Sequence, residues 1–413
     1  MKRKVCFLVA DHSFLDARIF KKEAKSLLRQ GYDVTMIVPK MNGYLFDING
    51  RNFTDRFQSA SFSYEGIEII TYERNEFQQD MKQFLSNIRS GKHEGFIDPL
   101  TKLGLLQEAD IYHAHEVSSF YSGIGIKRTL KDVNQKNVKL IFDSHELEPD
   151  PYSKAENNEK EDNMLMLRLM MKEADYIITV SESIKSWFLN INRNIPVEVI
   201  YNSPPLALNY EEKNYNKNYL VLTHEGFIER SRGNWRKIIK ITKICSKYMD
   251  FRFKIIGGIR EEGKNQYPVP KSLENNIKLA GWIAYEDIPK ELQEADLGWI
   301  DLDIRHSLNN QYAMPNKFFS YLNNGVPILV NRCKDMEEFV QKYNCGLVIE
   351  NSHASAKDYA NAVRYLYDNK LKLKEMSLNA RKVMEDLYCW ERMEKKLFEI
   401  YEKLNNSSLN IID

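Results

Sequence analysis

Met314-Pro315-Asn316-Lys317-Phe318-Phe319-Ser320-Tyr321-Leu322-Asn323-Asn324-Gly325-Val326-Pro327-Ile328-Leu329 reads as a loop, a helix and the start of a strand, with a lysine in the first turn of the helix. The first N–H groups of any helix lack intrahelical acceptors, so such a unit can offer both backbone donors and an ammonium to an anion. Gly325-Val326-Pro327 then turns the chain into the apolar run 328–330.

The same alternation extends in both directions. Downstream, a helix over 336–343 leads to a strand over 346–349. Upstream lie strands at 219–223, 253–256, 277–279 and 297–300, with helices at 235–249 and 288–295. The first half repeats the pattern. A buried strand at 5–10 precedes a helix at 17–30, whose apolar side carries Ile19, Phe20, Ala24, Leu27 and Leu28. Gly31-Tyr32-Asp33 closes that helix before a strand at 34–38. Further strands are expected at 67–72, 111–114, 138–142, 176–180 and 197–200, and helices at 80–89, 121–134, 163–174 and 182–189. Alternation at this spacing predicts largely parallel sheets covered on both faces. Asn202-Ser203-Pro204-Pro205-Leu206 interrupts the series, and 211–218 is polar and turn-rich, which places the junction of two tandem α/β domains near residue 205. Amphipathic helices at 354–368, 371–386 and 389–404 complete the chain.

A length of 413 residues exceeds what one hydrophobic core normally organises, in keeping with two domains. The 59 basic and 58 acidic residues nearly cancel, so no global field recruits nucleic acid and any anion must be held by local groups. Cys6, Cys245, Cys333, Cys345 and Cys389 show no zinc spacing and are expected to be reduced. Met1-Lys2-Arg3-Lys4 opens like a leader, but Asp11-His12 ends the apolar stretch after six residues. No stretch approaches the length of a membrane span, and a cytoplasmic protein is expected.

In doubly wound sheets, ligands gather beyond the carboxyl ends of strands. Those ends carry Asp11-His12-Ser13, His113-Ala114-His115-Glu116, Asp143-Ser144-His145-Glu146, Asn202, His224-Glu225-Gly226, Gly257-Gly258, Asp301-Leu302-Asp303 and Asn331-Arg332. Polar residues concentrated at the rims suit a cleft enzyme, and a nucleotide diphosphate is the anion that best suits the helix at Lys317. Gly257-Gly258 permits close backbone approach to a ligand, or a tight turn. There is no complete GxGxxG or Walker lysine motif. Arg230, Arg232, Arg236 and Lys237 surround Gly233; they form either a solvated helix start or a phosphate clamp on the same rim as Lys317. His113 and His115 share one strand face while Glu116 points away, so a metal trio is disfavoured and hydrogen-bonding histidines are expected, His113 as a structural tie. Asp301-Leu302-Asp303 could hold a divalent ion but reads mainly as a solvated turn.

Taken in order, these segments resemble family 4 glycosyltransferases of bacteria, the glycosyl transferase group 1 enzymes with GT-B architecture. The likeness runs through Asp16-Ala17-Arg18-Ile19, Ala109-Asp110-Ile111-Tyr112-His113-Ala114-His115-Glu116, Phe142-Asp143-Ser144-His145-Glu146 and Ala174-Asp175-Tyr176-Ile177-Ile178-Thr179-Val180-Ser181. It continues through Gly226, Arg232-Gly233, Gly257-Gly258, Ala280-Gly281-Trp282-Ile283, Ala295-Asp296-Leu297-Gly298 and 315–327.

The resemblance implies two Rossmann-like domains facing across a cleft: an acceptor domain at 1–203, a nucleotide-sugar domain at 204–388, and a helix at 389–413 returning to the first. It implies transfer, with retained configuration, from a UDP- or GDP-linked sugar to a glycan or lipid-linked glycan in surface polysaccharide synthesis. No cofactor or metal is implied. His115 would lie near the transferred sugar, and Arg232 and Lys317 would neutralise the donor phosphates. Gly226, Arg230, Gly258, Ile283, Asn316, Phe318 and Ser320 would complete the donor site. Similar enzymes commonly have glutamate where Ser320 stands, binding the donor ribose, and a second glutamate where Tyr312 stands. Phe227 replaces their usual arginine. These departures motivate an alternative, a weak or inactive homologue that binds nucleotide sugar or assembles with a partner. Lys21, Lys22, Lys25 and Arg29, with Lys82, Arg89, Lys92 and Lys102, offer a basic face for peripheral contact with anionic membrane.

Overall fold

The computed structural model describes residues 2–48, 50–77, 80–229, 232–259, 268–351 and 353–407. The chain divides into two compact units, one of Met1–Ile200 with Glu394–Asp413, the other of Tyr201–Met393.

The first unit contains β1 (Lys4–Val9), β2 (Asp33–Lys40), β3 (Ser61–Tyr64), β4 (Ile67–Glu73), β5 (Ile111–His115), β6 (Lys139–Ser144), β7 (Tyr176–Thr179) and β8 (Val197–Val199). Among the described residues they form one eight-stranded sheet in the order β3-β4-β2-β1-β5-β6-β7-β8. All neighbours are parallel except β3 and β4. Five consecutive buried residues in β1 and a wholly buried β5 are what a sheet covered on both faces requires. Register then aligns Val9 with His115, and His115 with Asp143, in one row at the carboxyl rim. The chain leaves β1 toward β2, and β5 lies on the other side, so this row falls at the switch point where such sheets open a crevice.

The helix expected at 17–30 differs from a regular α-helix. Ile19–Ala24 forms a wide π-type turn, followed by a short α-helix at Lys25–Arg29. Five of the six residues in that turn are buried, including Lys22 and Glu23. The basic face expected there is consequently not free: Lys22 lies inside, Lys25 pairs with Glu65, and Arg29 pairs with Glu394. A helix at Pro99–Leu105 was not anticipated, although Asp98 caps it and Pro99 occupies its first position.

The second unit contains β9 (Tyr219–Phe227), β10 (Asp250–Gly258), β11 (Ile277–Gly281), β12 (Leu297–Ile300), β13 (Ile328–Asn331) and β14 (Gly346–Ile349). They form a parallel sheet in the order β11-β10-β9-β12-β13-β14, which switches direction between β9 and β12. Trp299 anchors its core, with ring centroids 5.5 Å from both Phe253 and Tyr359. Asn234 caps the Trp235–Cys245 helix by accepting from the N–H groups of Arg236 and Lys237, and Ser355 with Asp358 forms a capping box on Ala356–Asp368.

The last helix, Trp390–Ser407, begins in the second unit and from Glu394 belongs to the first. There Lys396 donates to Glu198, and Arg3 donates to Asn405. No helix among the described residues is long and apolar enough to cross a membrane.

Candidate functional site

Each unit carries a polar rim at its switch point. In the first, Arg18 lies directly under the row formed by Val9, His115 and Asp143. Its Nε donates to Asp143 Oδ2 at 2.9 Å, its Nη2 to Asp143 Oδ1 at 2.8 Å, and its Nη1 to the Ile200 carbonyl at 2.8 Å. Burial alone would raise the Asp143 carboxyl, but Arg18, His145 and hydrogen bonds from His113 and His115 hold it well below the usual carboxylate range. Glu23 lies 3.1 Å from Arg18 Nε, and burial drives its carboxyl well above the usual range. Two carboxyl groups whose acidities are pushed in opposite directions therefore face a single guanidinium.

His113 is the structural tie expected from its position, with Nδ1 2.9 Å from the Tyr401 hydroxyl of the last helix. The His115 ring clusters with Phe7 and His113, its centroid 5.2 and 4.6 Å from theirs, while those two lie 4.8 Å apart. Burial keeps its imidazole neutral, and its Nδ1 lies 3.1 Å from His145 Nε2. It is fully buried, with an unpartnered Nε2. The groups with exposed surface above it are His145, Glu116 and His12.

In the second unit, Glu225 and Gly226 lie in the last three residues of β9, beside the Asn316–Asn323 helix. Gly226 adopts φ 97°, and a methyl group there would sit 3.4 Å from Lys317 Nζ, so bare backbone adjoins the ammonium. Gly257 adopts φ 112°, and a side chain would strike the Gly226 carbonyl at 2.4 Å. Lys317 makes no hydrogen bond or close ion pair among the described residues. Burial lowers its ammonium to about 8, with Glu225 opposing the shift and Arg232 reinforcing it. Arg232 bridges to Leu302 and lies 3.6 Å from Glu229. Pro315 caps the helix without a side-chain acceptor, and Asn316 is exposed at its first position.

Glu225 is the residue that sequence reasoning passed over. Its carboxyl is raised by burial against the opposing effects of the Ser320 hydroxyl hydrogen bond and the Lys317 charge, and its Oε2 has no hydrogen-bond partner. Its backbone N–H donates to the Tyr321 hydroxyl at 2.7 Å, which donates in turn to the Thr223 carbonyl at 3.1 Å. A carboxyl group from the neighbouring strand thus lies beside the Ser320 hydroxyl. The only advance signal was its place at a strand's carboxyl end.

Other expected residues fall differently. Gly258 faces Trp282, whose ring lies 4.6 Å from Phe227, and Ile283 is half-buried just beyond β11. Phe318 is not brought to the rim by its side chain: it is fully buried, packing 5.3 Å from Phe319 and 5.0 Å from Phe339. Arg230 lies outside the described residues. Lys237 is no phosphate clamp, because it donates to both oxygens of Asp301 at 2.7 and 2.8 Å. Asp301 in turn is not in a solvated turn; it is buried and also accepts from Tyr359 at 2.9 Å.

The family profile described as Glycosyltransferase Family 4 matches residues 17–206, and that described as Glycosyl transferases group 1 matches residues 235–369. No curated protein sequence matches the chain. Its fold is similar to HepE of Anabaena in complex with UDP, at 16% identity and a TM-score of 0.67, covering 98% of this chain and 100% of that one. Sucrose-phosphate synthase from Thermosynechococcus elongatus is similar at 13% identity and a TM-score of 0.65, covering 98% and 100%. A glycosyltransferase from Rickettsia africae is similar at 16% identity and a TM-score of 0.64, covering 98% of each chain.

Proposed function

The chain belongs to glycosyltransferase family 4, the group 1 glycosyl transferases of GT-B architecture, and on that premise we propose that it moves a sugar from a UDP- or GDP-linked donor to a glycan or lipid-linked glycan with retained configuration. The second unit holds the donor and the first the acceptor. The observation that carries this reading is Lys317: an ammonium with no close partner among the described residues, at a helix start, against the bare backbone of Gly226.

As the bond between sugar and diphosphate breaks, negative charge grows on the β-phosphate. Lys317, Arg232 and the first N–H groups of the Asn316–Asn323 helix are fixed donors for that charge, so they stabilise it without reorganising during the reaction. Two side-chain cations and a helix terminus suffice to balance the departing group, and the step as proposed uses no metal. The sugar develops oxocarbenium character, and the acceptor hydroxyl attacks the same face while passing its proton to the departing phosphate oxygen. The Glu225 carboxylate accepts donor hydroxyls beside the Ser320 hydroxyl, and the backbone at Gly258 and Ile283 adjoins the base. His115 acts from beneath the acceptor rim through its unpartnered Nε2 and through His145.

Similarity to HepE crystallised with UDP supports testing uridine donors first. Calorimetric titration of UDP, GDP and their sugars, followed by mass and anomeric NMR analysis of products with candidate acceptors, tests the reading. Binding without turnover across acceptors would favour the inactive-homologue alternative. Lys82, Arg89, Lys92 and Lys102 are exposed in the first unit, near exposed Ile97 and Leu106, and are the remaining residues for contact with anionic lipid. Salt-dependent sedimentation with anionic liposomes is the expected result; its absence removes the membrane contact.

A further inference from the structure

His12, Glu116 and His145 reach the rim of the first sheet from three separate segments, following β1, β5 and β6. One potential ligand atom from each lies within 4.8 Å of the other two. Glu116 Oε1 is 3.6 Å from His12 Nε2 and 3.4 Å from His145 Nδ1. Two ligands held at about 2.0–2.1 Å from one zinc-sized ion, at the tetrahedral angle, stand roughly 3.3–3.4 Å apart. The two spacings to Glu116 need only small adjustments to share an ion.

The other ring nitrogens are arranged compatibly. His145 Nε2 lies 3.3 Å from Asp143 Oδ2, and His12 Nδ1 lies 3.8 Å from Asp16 Oδ2. The Asp143 carboxylate is near enough to His145 to set its tautomer and aim the ring, whereas Asp16 stands beyond hydrogen-bond reach of His12 and acts on it through charge. Glu116 adopts φ 68°, unusual for a residue with a side chain, where it turns from β5 into the Glu116–Asn134 helix. Such a conformation is tolerated where its surroundings hold a group in a required position.

The charge environment also favours a cation. Glu116 pairs with no lysine or arginine among the described residues. The deeper group of Glu23, His113, His115 and Asp143 also converges, but there the Arg18 guanidinium already occupies the position of the cation.

We infer that His12, Glu116 and His145 form a binding site for a divalent transition ion of the zinc class, with its remaining coordination positions open to water or to a hydroxyl or carboxylate oxygen. Two imidazoles with one carboxylate favour zinc, cobalt or nickel over magnesium. Side-chain exposures of 30% for His12, 13% for Glu116 and 12% for His145 leave the site accessible. The site lies in the unit that does not carry Lys317, and the inference stands independently of the transferase reading.

The test uses the full-length, tag-free protein after chelator treatment and dialysis. Cobalt titration followed by visible absorption should show one bound ion with ligand-field bands, displaced by zinc but not by magnesium. His12→Asn, Glu116→Gln and His145→Asn should each weaken binding by at least about tenfold. His93→Asn, which alters a histidine paired with Asp132 elsewhere, should leave it unchanged. Failure of the folded wild type to bind one ion, or equal binding by all three site variants, overturns the inference. If those variants do not fold, an anomalous difference map from a zinc-soaked wild-type crystal decides: a peak among the three side chains upholds the site, and no peak there refutes it.

Discussion

Arg18 and Asp143, 125 residues apart in sequence, are joined by two parallel hydrogen bonds of 2.9 and 2.8 Å while both side chains are almost wholly buried. A buried pair of this kind contributes less net stability than its geometry suggests, because both ions were desolvated to form it. Removing one partner is far more damaging. Arg18→Ala should therefore destabilise the protein by about 3–5 kcal/mol in urea unfolding, whereas Arg18→Met combined with Asp143→Leu should cost much less. The Asp143 pKa is lower in the folded state than in the unfolded state, so its contribution is present above the unfolded value and is lost as pH falls through the folded one. Acid titration of wild type should show that loss, and the double variant should not.

That pairing also marks what the sequence could reveal. Alternation of apolar runs with helical patterns depends on local periodicity, and both parallel sheets and their polar rims were readable from it. Lys317 and Gly226 were recognisable because a helix start and a strand end are local features. Arg18 and Asp143 were not, since their contact depends on the register of β1, β5 and β6 and on a π-type turn. Glu225 required knowing which strand face meets the Asn316–Asn323 helix: His224 turns into the core near Trp299, and its neighbour necessarily turns the other way. Phe318 was misplaced for a related reason. At helical spacing Lys317 and Ser320 share a face, while Phe318 and Leu322 form the buried one.

Lys317 should be sensitive to pH in a definite direction. Its folded-state value of about 8 lies below its ordinary one, so the unfolded chain binds more protons between the two and fold stability rises with pH across that window. Donor binding should run the opposite way, weakening above pH 8 as the free enzyme loses the ammonium. Lys317→Arg should abolish that alkaline decline. Lys317→Ala should lower kcat by about 10²–10³-fold with little change in thermal unfolding, and unchanged turnover at saturating donor would remove the proposed role.

Glu225 and Ser320 permit a reciprocal exchange. Glu225→Ala should weaken UDP binding by roughly 10–100-fold in calorimetry, the effect of losing a hydrogen bond to a charged group. Ser320→Glu in the otherwise wild-type chain should place two carboxylates side by side and also weaken binding. Combining Glu225→Ala with Ser320→Glu should recover part of the affinity, because one carboxylate again occupies the site. No recovery would mean that Glu225 acts structurally rather than on the donor.

Asp301 supplies a test that separates architecture from chemistry. It directly follows β12 at the switch point, buried, accepting from Lys237 and from the Tyr359 hydroxyl. Burial raises its carboxyl while both partners oppose the rise, so its ionised form depends on them. Tyr359→Phe removes the hydroxyl donor and keeps the ring against Trp299. It should cost about 1.5–3 kcal/mol in denaturant unfolding, as expected for a hydrogen bond to a charged group. Because the Tyr359 hydroxyl donates to the Asp301 side chain, and its loss leaves the Arg232–Leu302 bridge and the Gly233 bond to the Asp301 carbonyl in place, UDP affinity measured below the unfolding transition should remain within about twofold. A loss of affinity comparable to that of Glu225→Ala would place the Asp301 network in donor binding and return the residues after β12 to the functional site.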